Sequence, residues 1–311
     1  MIPKIKKKGK KKLNKKNDTG KISTAPIGTP DFLAYRKLTQ LSQTSTHIFV
    51  VLDARNPSSC RFSFYEEKNL QKLIFIINKI DLVPREIAVS WYNELNSRAP
   101  TFAVCADKSI QPIVNFIKKK ASESTPLRVL ITGVGKTGKS VITSKLLKEN
   151  IPNVDIQKSG SWTWLDPTSD LISIGASELL QSTPNLISFA QDFLCRCSIH
   201  SLMDVFKVRF FSDVNFILST IYTSRKVAAY ELLSGLAQKK YPYYTLPHAS
   251  FIQNNLDNIE ETQRETFKLS KINDLFINPF IILSYETPNT LKASVVSLCN
   301  KSFDSLMEGK K

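Results

Sequence analysis

The run Gly133-Val134-Gly135-Lys136-Thr137-Gly138-Lys139-Ser140 fits the pattern G-x-x-x-x-G-K-[ST]. These residue types at this spacing suit one task, holding a chain of phosphates. Glycines let backbone N–H groups turn inward onto anionic oxygens. A helix starting at the end of the loop adds positive potential. Lys139 is expected to reach the β- and γ-phosphates, and Ser140 to ligate Mg²⁺. The flanks agree with this reading: Leu127–Thr132 reads as a buried strand and Val141–Leu147 as a helix.

A phosphate loop does not select a base. Asn78-Lys79-Ile80-Asp81, which follows the apolar run Leu73–Ile77, can do so. A carboxylate at Asp81 accepts both the N1–H and the 2-amino group of guanine as a charge-assisted pair. Adenine offers no such pair of donors and would leave the carboxylate unpaired. Cys105-Ala106, just past the run Thr101–Val104, stands where a third loop can offer backbone N–H to the guanine O6. The cofactors these motifs imply are GTP or GDP with Mg²⁺.

The elements that must position these loops can be traced along the chain. His47–Leu52, Leu73–Ile77, Thr101–Val104 and Leu127–Thr132 are consecutive Val, Ile, Leu or Phe runs, the pattern of strands buried on both faces. Helical stretches at Glu86–Asn96, Ile110–Lys119 and Lys139–Lys148 follow the last three strands. Alternation of strand and helix predicts an α/β fold with a mainly parallel sheet. Asp31 is placed to cap a first helix that runs to about Gln43, and Leu171–Ile174 is a further strand candidate. From about Leu179 the apolar residues recur at helical spacing, as at Ile187, Ala190 and Leu194. The expected organisation is a basic tail at 1–30, a G domain at 31–178, a mostly helical C-terminal domain at 179–302 and a frayed end at 303–311.

Order is the unusual feature. The guanine motif comes at 78, the base-backing loop at 105 and the phosphate loop at 133, the reverse of the common arrangement. A parallel sheet tolerates this, because ligands sit at the C-terminal ends of strands wherever the connections are cut. The reading is therefore a circularly permuted P-loop G domain.

Composition narrows the partners. The chain of 311 residues carries a formal charge of +16, and residues 1–21 hold ten lysines against Asp18 alone, which is +9 of that total. A run of this kind repels itself, is expected to be disordered when free, and displaces counterions from a polyanion such as RNA; the plainer alternative is a solubilising tail. Five cysteines (60, 105, 195, 197, 299) and no secretory apolar segment point to a reducing compartment. Apolar runs are too short to span a bilayer, so no membrane partner is expected. The lysine tail lacks the Arg-rich amphipathic pattern of a mitochondrial presequence and favours a nuclear or nucleolar address.

At this point the sequence resembles a known group. The motif order is similar to that of circularly permuted GTPases. Val51-Leu-Asp-Ala-Arg-Asn-Pro-Ser-Ser-Cys-Arg61 resembles the D-A-R-x-P signature of that group, and its Cys-Arg ending resembles the nucleostemin subgroup. Asn78 to Pro84, Arg85-Glu86, Trp91 and Tyr241-Pro-Tyr-Tyr-Thr-Leu-Pro247 are similar to the same subgroup, so the resemblance covers about residues 31–250. It implies a nucleolar GTP-binding protein that assists assembly or export of large (60S) ribosomal subunit precursors. Its partners would be rRNA, the pre-60S particle and other assembly factors. The sequence leaves the oligomeric state open, a monomer being the expectation. A mitochondrial ribosome-assembly GTPase is a more distant alternative.

The match fails where hydrolysis would be built. A switch threonine and a D-x-x-G hold Mg²⁺ and the γ-phosphate in GTPases, yet no D-x-x-G lies between Ser140 and Leu180. Gly175-Ala-Ser-Glu178 and Asp166-Pro-Thr-Ser169 are degenerate candidates, and Thr163, Asp155 or Gln157 stands where the switch threonine belongs. Slow turnover, or a non-hydrolysing scaffold that binds rRNA, follows. Lys136 replaces an Asn that the group ties to potassium activation; its ammonium either supplies that charge or points into water.

Three lesser features leave choices open. Cys195-x-Cys197-x-x-His200 offers three ligands but no fourth, so zinc competes with buried thiols. Tyr241, Tyr243 and Tyr244 beside Lys239 and Lys240 suit either stacking on RNA bases or packing on the G domain. Arg55 is expected to pair with a local carboxylate rather than with nucleotide. Three scattered histidines form no catalytic motif.

Overall fold

The computed structural model describes residues 32–123, 126–160, 186–251, 261–269 and 279–283. Helix α1 (Phe32–Thr44) leads into a five-stranded sheet built from β1 (His47–Asp53), β2 (Leu73–Asn78), β3 (Thr101–Ala103), β4 (Leu127–Thr132) and β5 (Val154–Lys158). The strand order is β3-β2-β1-β4-β5, and every neighbouring pair is parallel. Helices α2 (Ser63–Asn69), α3 (Arg85–Asn96), α4 (Gln111–Glu123) and α5 (Lys139–Lys148) fill the connections. The expected α/β class and parallel sheet are what the chain forms.

The uninterrupted apolar strands explain why the sheet is covered on both sides. Successive residues of a strand point to opposite faces. Ile48, Val50, Leu52, Leu73, Phe75 and Ile77 enter one core with Ile87, Trp91 and Leu95 of α3. Their neighbours Phe49, Val51, Ile74 and Ile76 enter a second core with Ile113 and Ile117 of α4 and Ile142 and Leu146 of α5.

A third core belongs to the C-terminal region. Helices α6 (Leu186–Cys195), α7 (Ile199–Phe206), α8 (Val214–Ile221) and α9 (Arg225–Ala237) bury Phe193, Leu202, Leu218 and Leu232 together. The Pro/Tyr segment is more ordered than its composition suggests. Tyr243–Thr245 forms strand β6, paired in parallel with β7 (Ile281–Leu283).

This region also grips the G domain. Trp91 Nε1 donates to Thr245 O at 2.8 Å, Thr245 N to Arg55 O at 2.8 Å, and His248 N to Glu94 Oε2 at 2.8 Å. Helix α10 (Glu261–Leu269) returns to the sheet. The buried Gln263 there accepts from Ala103 N at 2.8 Å, and Phe267 sits edge-on to Tyr92 in the first core. Gln263 thus occupies an N–H on edge strand β3 that the ladder leaves open. The division of the chain near residue 178 stays a proposal, with α10 contributing to the first core.

Besides β6 and β7, two elements before residue 160 were not expected. Helix α2 follows Arg61, whose buried guanidinium pairs with Glu66 (Nη2 to Oε2 2.6 Å) while Phe62 N donates to Glu66 Oε1 at 3.0 Å. Glu66 thereby satisfies a donor at the start of α2 and an arginine at once. Strand β5 is short and half polar, so its alternation carries little signal; pairing with β4 decides it. The tail, the Asp31 cap, Leu171–Ile174, Thr163, Asp166–Ser169, Gly175–Glu178 and 303–311 lie outside the described residues.

Replacing Glu66 by Ala would strand a buried Arg61 charge, which costs about 3 kcal/mol. A urea titration should show the corresponding drop in midpoint without a change in slope.

Candidate functional site

All five strands are parallel, so their C-terminal ends fall on one edge. There β1 ends at Asp53, β2 at Asn78, β3 at Ala103, β4 at Thr132 and β5 at Lys158. The register pairs Asp53 with Asn78. Every loop assigned to the nucleotide leaves from this edge.

Asn78 joins three loops. It is only 2% exposed. Its Nδ2 donates to Thr137 O at 2.7 Å, and its Oδ1 accepts from Ala106 N at 2.9 Å. The first bond reaches the phosphate loop and the second the base-backing loop. Gly138 is required by the same contact. It has φ +101°, and a Cβ there would run into the Asn78 amide. Gly133, at φ +133°, would place a Cβ 2.5 Å from Val51 O.

Lys79 adopts a left-handed conformation (φ 62°), which turns its side chain back across the edge. Its Nζ donates to Lys136 O at 2.6 Å and to Asp53 Oδ2 at 2.8 Å. Asp53 also accepts from Arg55 Nε at 3.0 Å and Nη2 at 2.9 Å, so Arg55 does pair with a local carboxylate. Burial alone would raise the Asp53 pKa, but the Arg55 and Lys79 charges overcome it and hold the carboxyl well below the usual range. The Arg55 guanidinium lies over the Tyr243 ring at 5.3 Å.

Asp81 is half-buried beside Cys105. Burial, followed by the hydrogen bond to the Asp81 carboxylate, pushes the Cys105 thiol up to about 11. Cys105 O accepts from Lys108 N and Ser109 N at 2.9 Å each, a tight turn that presents Ala106 next to Asn78.

Helix α5 starts at Lys139 with no side-chain cap, which leaves its first N–H groups facing the loop. Lys139 itself is 5% exposed and folds back on the loop, donating to Gly133 O at 2.7 Å and Val134 O at 2.5 Å. Thr137 Oγ1 donates to Val134 O at 2.9 Å. Gly135 and Val134 are buried in the loop, and Lys136 is exposed at its tip with φ 59°. Burial lowers the Lys139 pKa to about 8; Cys60 opposes this and Lys158 adds to it. The loop is thus an uncapped helix end with a desolvated ammonium at its centre.

Ser140 is where the structure departs from expectation. Its Oγ accepts from Lys158 Nζ at 3.1 Å, so an ammonium stands at the hydroxyl assigned to Mg²⁺. Carboxylates on nearby strands are engaged elsewhere. Asp53 holds Arg55 and Lys79, and Asp155 accepts from Gln157 Nε2 at 2.8 Å. Among the described residues no group of acidic, His or Cys side chains is arranged to hold a metal. Among the described residues, this donor set does not fit Mg²⁺. Lys158 was missed because β5 was not foreseen; the two-residue alternation of Val154 and Ile156 ahead of it is too weak to have found it.

The other open features resolve as packing. Tyr243 is buried against Phe193 and Arg55, Tyr241 packs on Phe206, and Tyr244 on Phe280. Cys197 is buried and its thiol donates to Phe193 O at 3.1 Å, whereas Cys195 is exposed.

A parallel sheet with a G-x-x-x-x-G-K-S loop on one central strand and an N-K-x-D loop two strands away, in inverted sequence order, is a circularly permuted P-loop G domain. No protein-family profile matches the chain. Similar curated proteins include mouse (Mus musculus) guanine nucleotide-binding protein-like 3, 31% identical over 171 residues, covering 45% of this chain and 32% of the relative. Arabidopsis thaliana guanine nucleotide-binding protein-like NSN1 is 25% identical over 280 residues, 68% of this chain and 48% of that protein. Saccharomyces cerevisiae nuclear GTP-binding protein NUG1 is 36% identical over 103 residues, 32% of this chain and 20% of that protein. The solved GDP-bound structure of YlqF aligns with a TM-score of 0.47 and 17% identity, covering 66% of this chain and 95% of that one. In motif order and sequence the chain is similar to nucleostemin-like, circularly permuted GTP-binding proteins. It spans less than half the length of the first two curated relatives.

The Lys139 shift gives a pH test with a definite sign. Between about 8 and the ordinary 10.5, the unfolded chain keeps a proton that the folded chain releases, so folding stability from this group rises with pH across that window. A bound polyphosphate favours the ammonium and reverses the shift. Binding at about pH 9 should therefore take up a proton, visible as a buffer-dependent binding enthalpy in calorimetry, and affinity should decline as pH rises past 8.

Proposed function

We propose that this chain binds GTP and GDP, with phosphates held by Gly133 to Ser140 and guanine read by Asn78, Lys79 and Asp81 against Cys105 and Ala106. The observation that carries the reading is the Asn78 side chain, bonded at once to the phosphate loop and the base-backing loop. Names of the relatives agree, since they are described as guanine nucleotide-binding or GTP-binding proteins.

The cellular role that fits is a nuclear, nucleolar protein acting on large (60S) ribosomal subunit precursors, with rRNA and other assembly factors as partners. A relative named a nuclear GTP-binding protein supports the address. The ten lysines of residues 1–21 support an RNA partner through counterion release. Within this reading the chain is a nucleotide-bound scaffold with slow or absent hydrolysis. Two observations favour that: no D-x-x-G lies between Ser140 and Leu180, and Lys158 faces Ser140. Loss of the metal-positioning carboxylate removes much of the electrostatic stabilisation that phosphoryl transfer needs.

Calorimetry with GTP, GDP and ATP tests the reading. Both guanine nucleotides should bind and ATP should be weaker by about 100-fold or more; equal affinity for ATP would overturn the base assignment. Lys139→Ala should weaken GDP binding by about 10- to 100-fold, the worth of a charge-assisted hydrogen bond to phosphate. Asp81→Asn should shift preference from guanine to xanthine nucleotides, because the amide offers a donor to the 2-oxo group. An unaltered preference for GDP over xanthosine diphosphate would remove Asp81 from the site.

A further inference from the structure

Strand β5 is fixed against the root of the phosphate loop. Its register pairs Lys158 with Ile131, two residues before Gly133. Ser159 N donates to Ile131 O at 2.9 Å, and Ser159 Oγ lies 2.7 Å from Thr132 Oγ1. Both bonds are backed by burial of Ser159 and Thr132. The strand end therefore has little freedom, and the Lys158 side chain leaves it toward the start of α5, where its Nζ meets Ser140 Oγ at 3.1 Å.

A divalent ion needs several oxygen ligands in octahedral array. Here the hydroxyl in the metal-ligand position is instead paired with a cation, and the carboxylates Asp53 and Asp155 are bonded to other groups. The role of a metal at this place is to offset charge on the β- and γ-phosphate oxygens. An ammonium on a long flexible stem can do part of this while donating up to three hydrogen bonds. Lys139, the first residue of α5, is next to Ser140, so a polyphosphate would lie between a lysine that follows β4 and one that ends the adjacent parallel strand β5.

We propose that Lys158 takes the place of the divalent cation at Ser140, so that this chain holds guanine nucleotide without Mg²⁺. The inference rests on the nucleotide reading of the preceding subsection and adds to it the identity of the counter-charge. It also ties loss of the metal site to loss of turnover through one residue.

The test is GDP and GTP titration of the full chain in Mg²⁺ and again in excess EDTA. Wild type should keep its affinity within about threefold in EDTA, and Lys158→Ala should lose about tenfold or more there. Lys158→Arg, which keeps the charge, should retain most of the EDTA affinity. Lys158 is exposed, so neither change removes core packing. A fall of about tenfold or more for wild type on removing Mg²⁺, or an undiminished Lys158→Ala protein in EDTA, overturns the proposal while leaving nucleotide binding intact. No binding of either nucleotide in either buffer sinks the nucleotide reading and this inference with it.

Discussion

One buried amide sets the geometry of the whole edge. Asn78 stands at the end of β2 and is bonded to Thr137 O on one side and Ala106 N on the other. An amide has one face that donates and one that accepts, so each neighbour must present the matching group. That requirement fixes the phosphate loop, the guanine loop and the base-backing loop relative to one another. Aspartate or leucine at 78 would leave a buried carbonyl or N–H without its partner. The glycine at 138 follows from the same constraint, because no side chain fits beside the amide.

Around this anchor the charges are unevenly balanced. Asp53 is shared by Arg55 and Lys79, which neutralises a buried carboxylate and pins the D-A-R segment to the guanine loop. Lys139 and Lys158 have no carboxylate of their own in these contacts; they rest on carbonyls and on a hydroxyl. Burial lowers the pKa of Lys139 as a result. A desolvated cation such as Lys139 beside an uncapped helix start is stabilised by an anion more than by water.

The C-terminal region is fastened to this machinery rather than merely appended. Tyr243 lies under Arg55, Arg55 holds Asp53, Asp53 holds Lys79, and Lys79 reaches Lys136 O. Trp91, Glu94 and Ala103 add hydrogen bonds to Thr245, His248 and Gln263. Of these contacts, the one from Arg55 to Tyr243 joins the loop edge to the third core, and the others tie α3 and β3 to the segments at 245–248 and 261–269.

By itself, the sequence determined the class of sheet, the two motif loops and their inverted order. It could do so because continuous apolar runs specify doubly covered parallel strands, and because G-x-x-x-x-G-K-S and N-K-x-D each set particular residue types at a fixed spacing. Arg55 was also legible, since Asp53 lies two residues away. Tertiary structure alone decided the rest. Strand β5 is too short and too polar to announce itself, and exists because β4 offers an unpaired edge. Glu66 and Gln263 matter only through partners brought close by folding: Arg61 and Phe62 in one case, and Ala103, 160 residues away, in the other. Lys158 belongs to the same category. Eighteen residues separate it from Ser140 along the chain, and only the parallel register of β4 and β5 sets its ammonium on that hydroxyl.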